Sequence, residues 1–206
     1  MRNRDVIEQI EYNGYKINIY QDEFYESPSD WGDNECFLVH YHRDCWITNK
    51  LIDEDDIREW YRGSKSLEKE YWVFPVAAYI HGGVSLSLGS GRNFPDYNWD
   101  VSHVGAVLVK RNRRLRKKTA YKYAEGIIET WNDYLSGNVY GYMIEDSEGN
   151  EEGGCWNYYG DWETSGILDE AKAEINGMIH KRIQEAIRDN KEQLEINENV
   201  QPTEAY

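Results

Sequence analysis

A chain of 206 residues is the size of one ordinary domain, with at most a lid or tail added. Its 23 basic residues against 38 acidic ones leave a net charge of −15, which excludes a chain-wide electrostatic grip on nucleic acid or anionic membrane; any such contact is local. Aromatics at 14%, with 17 Tyr and 8 Trp, set the chain apart from acidic disordered proteins, which are poor in them.

Asn13-Gly14 is a strong hairpin signal and predicts strands over residues 6–12 and 15–21, the second alternating Tyr15, Ile17 and Ile19 with Lys16, Asn18 and Tyr20. Residues 22–34, with Ser27-Pro28 and Gly32-Asp33, read as loop, and 36–43 (CFLVHYHR) return to strand composition. The acids at 53–56, followed by Ile57, Trp60 and Tyr61, suit a short helix with its carboxylates at the dipole-positive end. Two strands follow at 72–80 and 84–88 around His81-Gly82-Gly83. A loop rich in Gly, Pro and Asp over 89–100 then leads to a more buried strand at 101–110.

The clearest helix spans 117–136, where Ala120, Tyr123, Ala124, Ile127, Ile128, Trp131, Tyr134 and Leu135 recur at three- and four-residue steps and Gly137 supplies the stop. A hairpin is expected next, with strands at 139–145 and 154–159 about a turn at 146–150. A second long helix over 168–188 carries Leu168, Ala171, Ile175, Met178, Ile179, Ile183 and Ala186 on one stripe. Residues 191–206 turn acidic and meet a proline, which predicts a frayed tail. With no repeat and no linker, these elements compose a single α+β domain over 1–190, in which about seven or eight mostly antiparallel strands are covered on one face by two amphipathic helices. The stripe of the last helix is equally compatible with its own sheet and with a second subunit, so a homodimer stays open.

Three cysteines, Cys36, Cys45 and Cys155, without CxxC spacing, point to a reducing compartment, and the absence of an apolar run near 20 residues predicts no membrane span; both place the chain in the cytoplasm. His40 and His42 share one strand face, and His81, His103 or Cys155 are candidates to join them in a histidine-lined, metal-dependent or small-ligand pocket. No HExxH or similar spacing demands this. The plainer reading is half-buried, hydrogen-bonded histidines, with neither metal nor cofactor and no catalytic residue assigned.

Charge layout is more informative. Residues 110–118 (KRNRRLRKK) carry seven cations in nine positions between a strand end and a helix start, where the dipole disfavours them. Arg113, Arg114, Arg116 and Lys117 are therefore candidate contacts to phosphate, RNA or an acidic surface, against the alternative of a solvated linker. Acids concentrate elsewhere, at Asp22, Glu23 and Asp33, at Asp53, Glu54, Asp55 and Asp56, and around 145–152. Such rows can imitate phosphates and compete for a protein that handles nucleic acid, although they also serve plain solubility. Trp156 and Tyr159, in an aromatic cluster, suit an interface or a core.

The combination of Asp22-Glu23, Ser27-Pro28 and Trp31, the strands near Tyr79 and at Val104–Val109, and the run YLSGNVYGY at 134–142 leading to Cys155-Trp156 and Tyr159-Gly160 resembles an uncharacterised family of small phage and mobile-element proteins over residues 14–175. Relatives of that type continue into a longer acidic-basic helical segment where this chain has the compact basic run. The resemblance implies a phage or mobile-element setting and carries no activity with it. The resulting expectation is a non-enzymatic counter-defence protein that inhibits a host nucleic-acid-handling protein, such as a CRISPR effector, through acidic and aromatic surface. The alternatives are the histidine-pocket enzyme and a nucleic-acid adaptor that uses 110–118.

Overall fold

In the computed structural model, residues 5–31, 35–41, 53–95 and 99–199 are described, with side chains described as far as residue 191. The chain is α+β, with eight strands in two four-stranded antiparallel sheets and three α-helices among the described residues. The strands are β1 (Val6–Tyr12), β2 (Tyr15–Gln21), β3 (Cys36–His40), β4 (Tyr71–Ile80), β5 (Val84–Leu88), β6 (Val101–Lys110), β7 (Val139–Glu145) and β8 (Glu151–Tyr159). The helices are α1 (Glu54–Tyr61), α2 (Lys117–Ser136) and α3 (Ile167–Asn199).

Strand order is β1-β2-β7-β8 in one sheet and β3-β6-β4-β5 in the other. The expected single sheet is therefore two. Hydrophobic alternation fixes which face of a strand is buried but does not say which strand lies beside it, so the partition lay outside the pattern. The chain divides into two compact units, one formed by residues 1–20, 141–156 and 162–206, the other by 21–140 and 157–161.

In the second unit the sheet is covered on both faces. Leu38, Phe74, Val76, Val104, Val107 and Val109 pack with Ala120, Ala124, Ile128 and Trp131 of α2. Phe37, Val39, Ala106 and Leu108, of opposite parity, pack with Ile57 of α1 and Leu67 of a short 3-10 turn. α1 and α2 lie on opposite faces of this sheet, which is why Val104–Val109 is buried without a break; of the two long helices expected to share one face, α2 packs here and α3 belongs to the first unit. Each fully buried Val, Leu or Phe of this kind contributes roughly 1.5–3 kcal/mol. Gly105 sits where β6 approaches the β3 backbone at Val39 and His40 too closely to admit any Cβ. Its carbonyl accepts the Tyr61 hydroxyl at 2.8 Å, which ties the end of α1 to the sheet.

The helix expected at 117–136 has those bounds and ends on Gly137, whose φ of 71° is the left-handed conformation that releases the chain into β7. Asn132 of α2 closes the exposed β5 edge, accepting from Leu86 N at 2.7 Å and donating to Leu86 O at 3.0 Å.

In the first unit Ile17, Ile19, Tyr142, Ile144, Ile167, Ala171 and Ile175 are buried. The Tyr142 hydroxyl donates to Glu174 Oε2 at 2.7 Å, and Arg182 donates to Tyr15 Oη at 2.6 Å and to Glu152 at 2.8 Å. These contacts dock the first half of α3. The helix continues to Asn199 rather than ending at Arg188, so the expected frayed tail is helical backbone over its first residues.

Candidate functional site

β6 ends at Lys110, and the next six residues turn the chain onto α2. Two contacts fix the turn's entry. The Arg111 guanidinium lies over the Trp72 ring at 3.7 Å from its centroid while its Nε donates to Tyr71 O at 2.9 Å. Asn112 then folds the corner, its Oδ1 accepting from Arg114 N at 3.0 Å and Leu115 N at 2.8 Å. Leu115 packs against the α2 core and anchors the segment. Everything around it faces water.

Arg113, Arg114, Arg116, Lys117 and Lys118 are exposed, and none of them has an ion-pair partner among the described residues. Other cations are engaged: Arg58 with Glu54 and Asp55, Lys65 with Glu68, Arg182 with Glu152. Arg116 occupies the N-cap of α2, makes no side-chain cap, and is followed by a first turn without an acid. A Ser or Asp there would satisfy an orphan amide, and cations at this end oppose the helix dipole. The chain therefore holds five cations where they weaken its own helix. Tyr123, expected on the apolar stripe, is 54% exposed and stands beside this cluster with Lys122; it lies at the margin of a stripe whose centre is filled by Ala120, Ala124 and Ile128.

The acidic candidates are arranged differently. Asp22 is buried, its Oδ1 accepting from Phe24 N at 2.9 Å and its Oδ2 from Asn157 N at 3.2 Å, so it holds a loop together. Glu23 is exposed. Asp33 lies outside the described residues, as do His42 and Cys45. Asp53 caps α1 through Asp55 N at 3.0 Å. Glu54 and Asp55 flank Arg58 at 3.6 and 3.5 Å, and Asp56 is exposed in the same turn. Asp146 is turned inward on its own hairpin, where the Asn150 side chain and amide hold its carboxyl below the usual range.

The aromatic candidates separate too. Trp156 lies on Gly141, where no Cβ could be accommodated, and 6.1 Å from Tyr20. Tyr159 packs edge-on to Trp31 at 5.0 Å and donates to the Glu26 carbonyl; burial and the nearby Glu26 carboxylate push its phenol up to about 12. Arg113, Arg114, Arg116 and Lys117 thus lie together on the β6–α2 corner, while Tyr159 is engaged by Trp31 and Glu26.

Among the described residues the candidate histidines form no metal-holding group. His40 is buried on β3, His103 is exposed on β6 with its ring 5.7 Å from Tyr61, and His81 is exposed, 3.4 Å from Asp100. Among the described residues no group of three or more His, Cys, Asp or Glu is placed to hold a metal ion. Trp72 and Tyr123, which flank the basic segment, were missed as site residues because their role comes from β4–β6 pairing and from the helix margin, neither visible as a local motif. No protein-family model, curated protein or solved structure matches the chain.

Proposed function

We propose that this protein acts by binding, and that its partner surface is the basic shoulder formed by the β6–α2 corner, with nucleic acid as the anionic partner. The observation that carries this reading is the cluster of five exposed cations, without ion-pair partners among the described residues, at a helix N-terminus with Arg116 at the cap position. Local rules broken without internal compensation are the signature of a site kept for something outside the chain. The remainder of the chain, strongly acidic, confines the contact to this shoulder and opposes spreading of the duplex over the surface.

Fluorescence anisotropy with labelled oligonucleotides between 50 and 200 mM salt tests the reading. With about four phosphates contacted, log K should fall with log salt at a slope near −3 for a single strand. The quadruple change Arg113→Glu, Arg114→Glu, Arg116→Glu and Lys117→Glu should remove binding; binding that survives it sinks the proposal.

A second reading is favoured by α1, whose Asp53, Glu54, Asp55 and Asp56 are all exposed on one turn: the expected inhibitor of a host nucleic-acid-handling protein would use this acidic end as its contact. A pull-down from nuclease-treated lysate addresses it. A stoichiometric partner lost on Asp55→Lys and Asp56→Lys supports it, and a partner indifferent to those changes does not.

A further inference from the structure

We propose that a groove beside the basic shoulder receives one unstacked nucleobase, making the surface selective for single strands; this rests on the nucleic-acid reading above and specifies its ligand. The groove, about 410 Å³, lies within the roughly 300–1,000 Å³ range of small-ligand sites. Its floor is apolar, from Cys36, Val109, Leu115 and Ile127. Its polar lining comes from Glu35, Lys110, Lys122 and the Asn112 carboxamide, with Lys110 paired to Glu35 at 3.4 Å, and Tyr123 stands half-exposed among them.

Four features select the occupant. The apolar floor with few polar groups suits a flat ring, and Tyr123 offers an aromatic face of the kind on which bases stack in single-strand-binding proteins. Lys122 lines the groove beside the Lys110–Glu35 pair, and the five exposed cations of the corner, without ion-pair partners among the described residues, lie next to it in the chain, so a polyanionic backbone held by the shoulder passes the opening. Asn112 uses its Oδ1 on the Arg114 and Leu115 amides, which leaves its amide N–H groups as donors for a base edge. Finally, Gly126 lines the groove in the middle of α2, with nothing within 4 Å of the position a Cβ would take. Glycine is the poorest helix former after proline, yet it stands at a groove-lining position where an added Cβ would meet only open space. A duplex keeps its bases stacked and paired and cannot fill the groove, whereas a single strand can.

The test is anisotropy with a labelled 12-nucleotide single-stranded DNA and the matching duplex at equal salt, on the full chain. The wild-type protein should bind the single strand at least about tenfold more tightly. Gly126→Leu fills the groove with a better helix former, so folding should be retained by circular dichroism. It should cut single-strand affinity about five- to tenfold with duplex affinity unchanged, and Tyr123→Ala should do the same. Equal affinity for the two forms, or a Gly126→Leu protein that still discriminates, overturns this proposal and leaves the shoulder reading standing. Salt-independent or absent binding of both forms overturns both. Competition against the single strand by decanoate but not by thymidine monophosphate would assign the groove to an amphiphilic carboxylate and overturn the nucleobase reading.

Discussion

The Arg111 guanidinium stacks on the Trp72 indole at 3.7 Å, and together with the Arg111 Nε bond to Tyr71 O this contact fixes the direction in which the basic corner leaves the sheet. Trp72 belongs to β4 and pairs with Val109 of β6, so the platform is set by strand register rather than by neighbours in sequence. A cation–π pair with an exposed guanidinium, as here, is worth about 0.5–1 kcal/mol. Trp72→Leu should lower the unfolding free energy by roughly that amount or more. It should also weaken oligonucleotide binding severalfold without changing the salt slope, as measured by urea denaturation and anisotropy.

Arg116 at the N-cap of α2 predicts a trade between stability and binding. Arg116→Asp supplies the missing acceptor and an acid at the positive end of the helix, and should raise stability by about 1 kcal/mol. The same variant should lose oligonucleotide affinity and show a smaller salt slope. A melting temperature that falls would remove the argument that this position is held against the helix's own interest.

Asp22 is expected to act in folding. Its carboxylate accepts from Phe24 N and Asn157 N, and the Asn157 side chain in turn accepts from Glu26 N at 2.9 Å. Asn157 has φ of 67°, a left-handed conformation that asparagine tolerates better than most residues. Asp22→Ala removes a buried carboxylate and leaves the Phe24 and Asn157 amides without their acceptor, and should cost about 1–3 kcal/mol, with oligonucleotide affinity per folded molecule unchanged.

Three tyrosines make the fold sensitive to alkali. Burial holds the Tyr61 phenol above its ordinary 10.0, and burial together with its hydrogen bond to Glu174 does the same for Tyr142. Burial, then the Glu26 charge, raises Tyr159 to about 12. A phenol whose folded value is raised favours the neutral form, so its contribution is complete below pH 10 and is lost as pH climbs from 10 through the folded value. Urea midpoints should be level between pH 7 and 9 and fall from pH 10 to 12. In Tyr142→Phe that alkaline fall should be shallower, although the protein is weaker at neutral pH for want of the Glu174 bond.

Gly141 should tolerate no side chain. The Trp156 ring covers it, and Gly141→Ala would drive the indole from its place. Forced rearrangements of this kind typically cost 1–3 kcal/mol, read as a lower urea midpoint with a blue- or red-shifted tryptophan emission.

Much of the local structure was legible in the chain itself. The Asn13-Gly14 turn, the alternation of Val84 to Leu88, the α2 stripe and its Gly137 stop, and the seven cations of 110–118 each announce themselves through short-range physics: backbone permissiveness, side-chain period and like charge. What only the tertiary structure decided is which strands became neighbours, that α1 and α2 took opposite faces of the β3-β6-β4-β5 sheet, that Asp22 turned inward while Asp56 stayed out, and that Trp72, Tyr123 and Gly126 came to flank the basic corner. Those outcomes depend on register and burial between residues tens of positions apart, and a periodic pattern records that a face must be covered without recording what covers it.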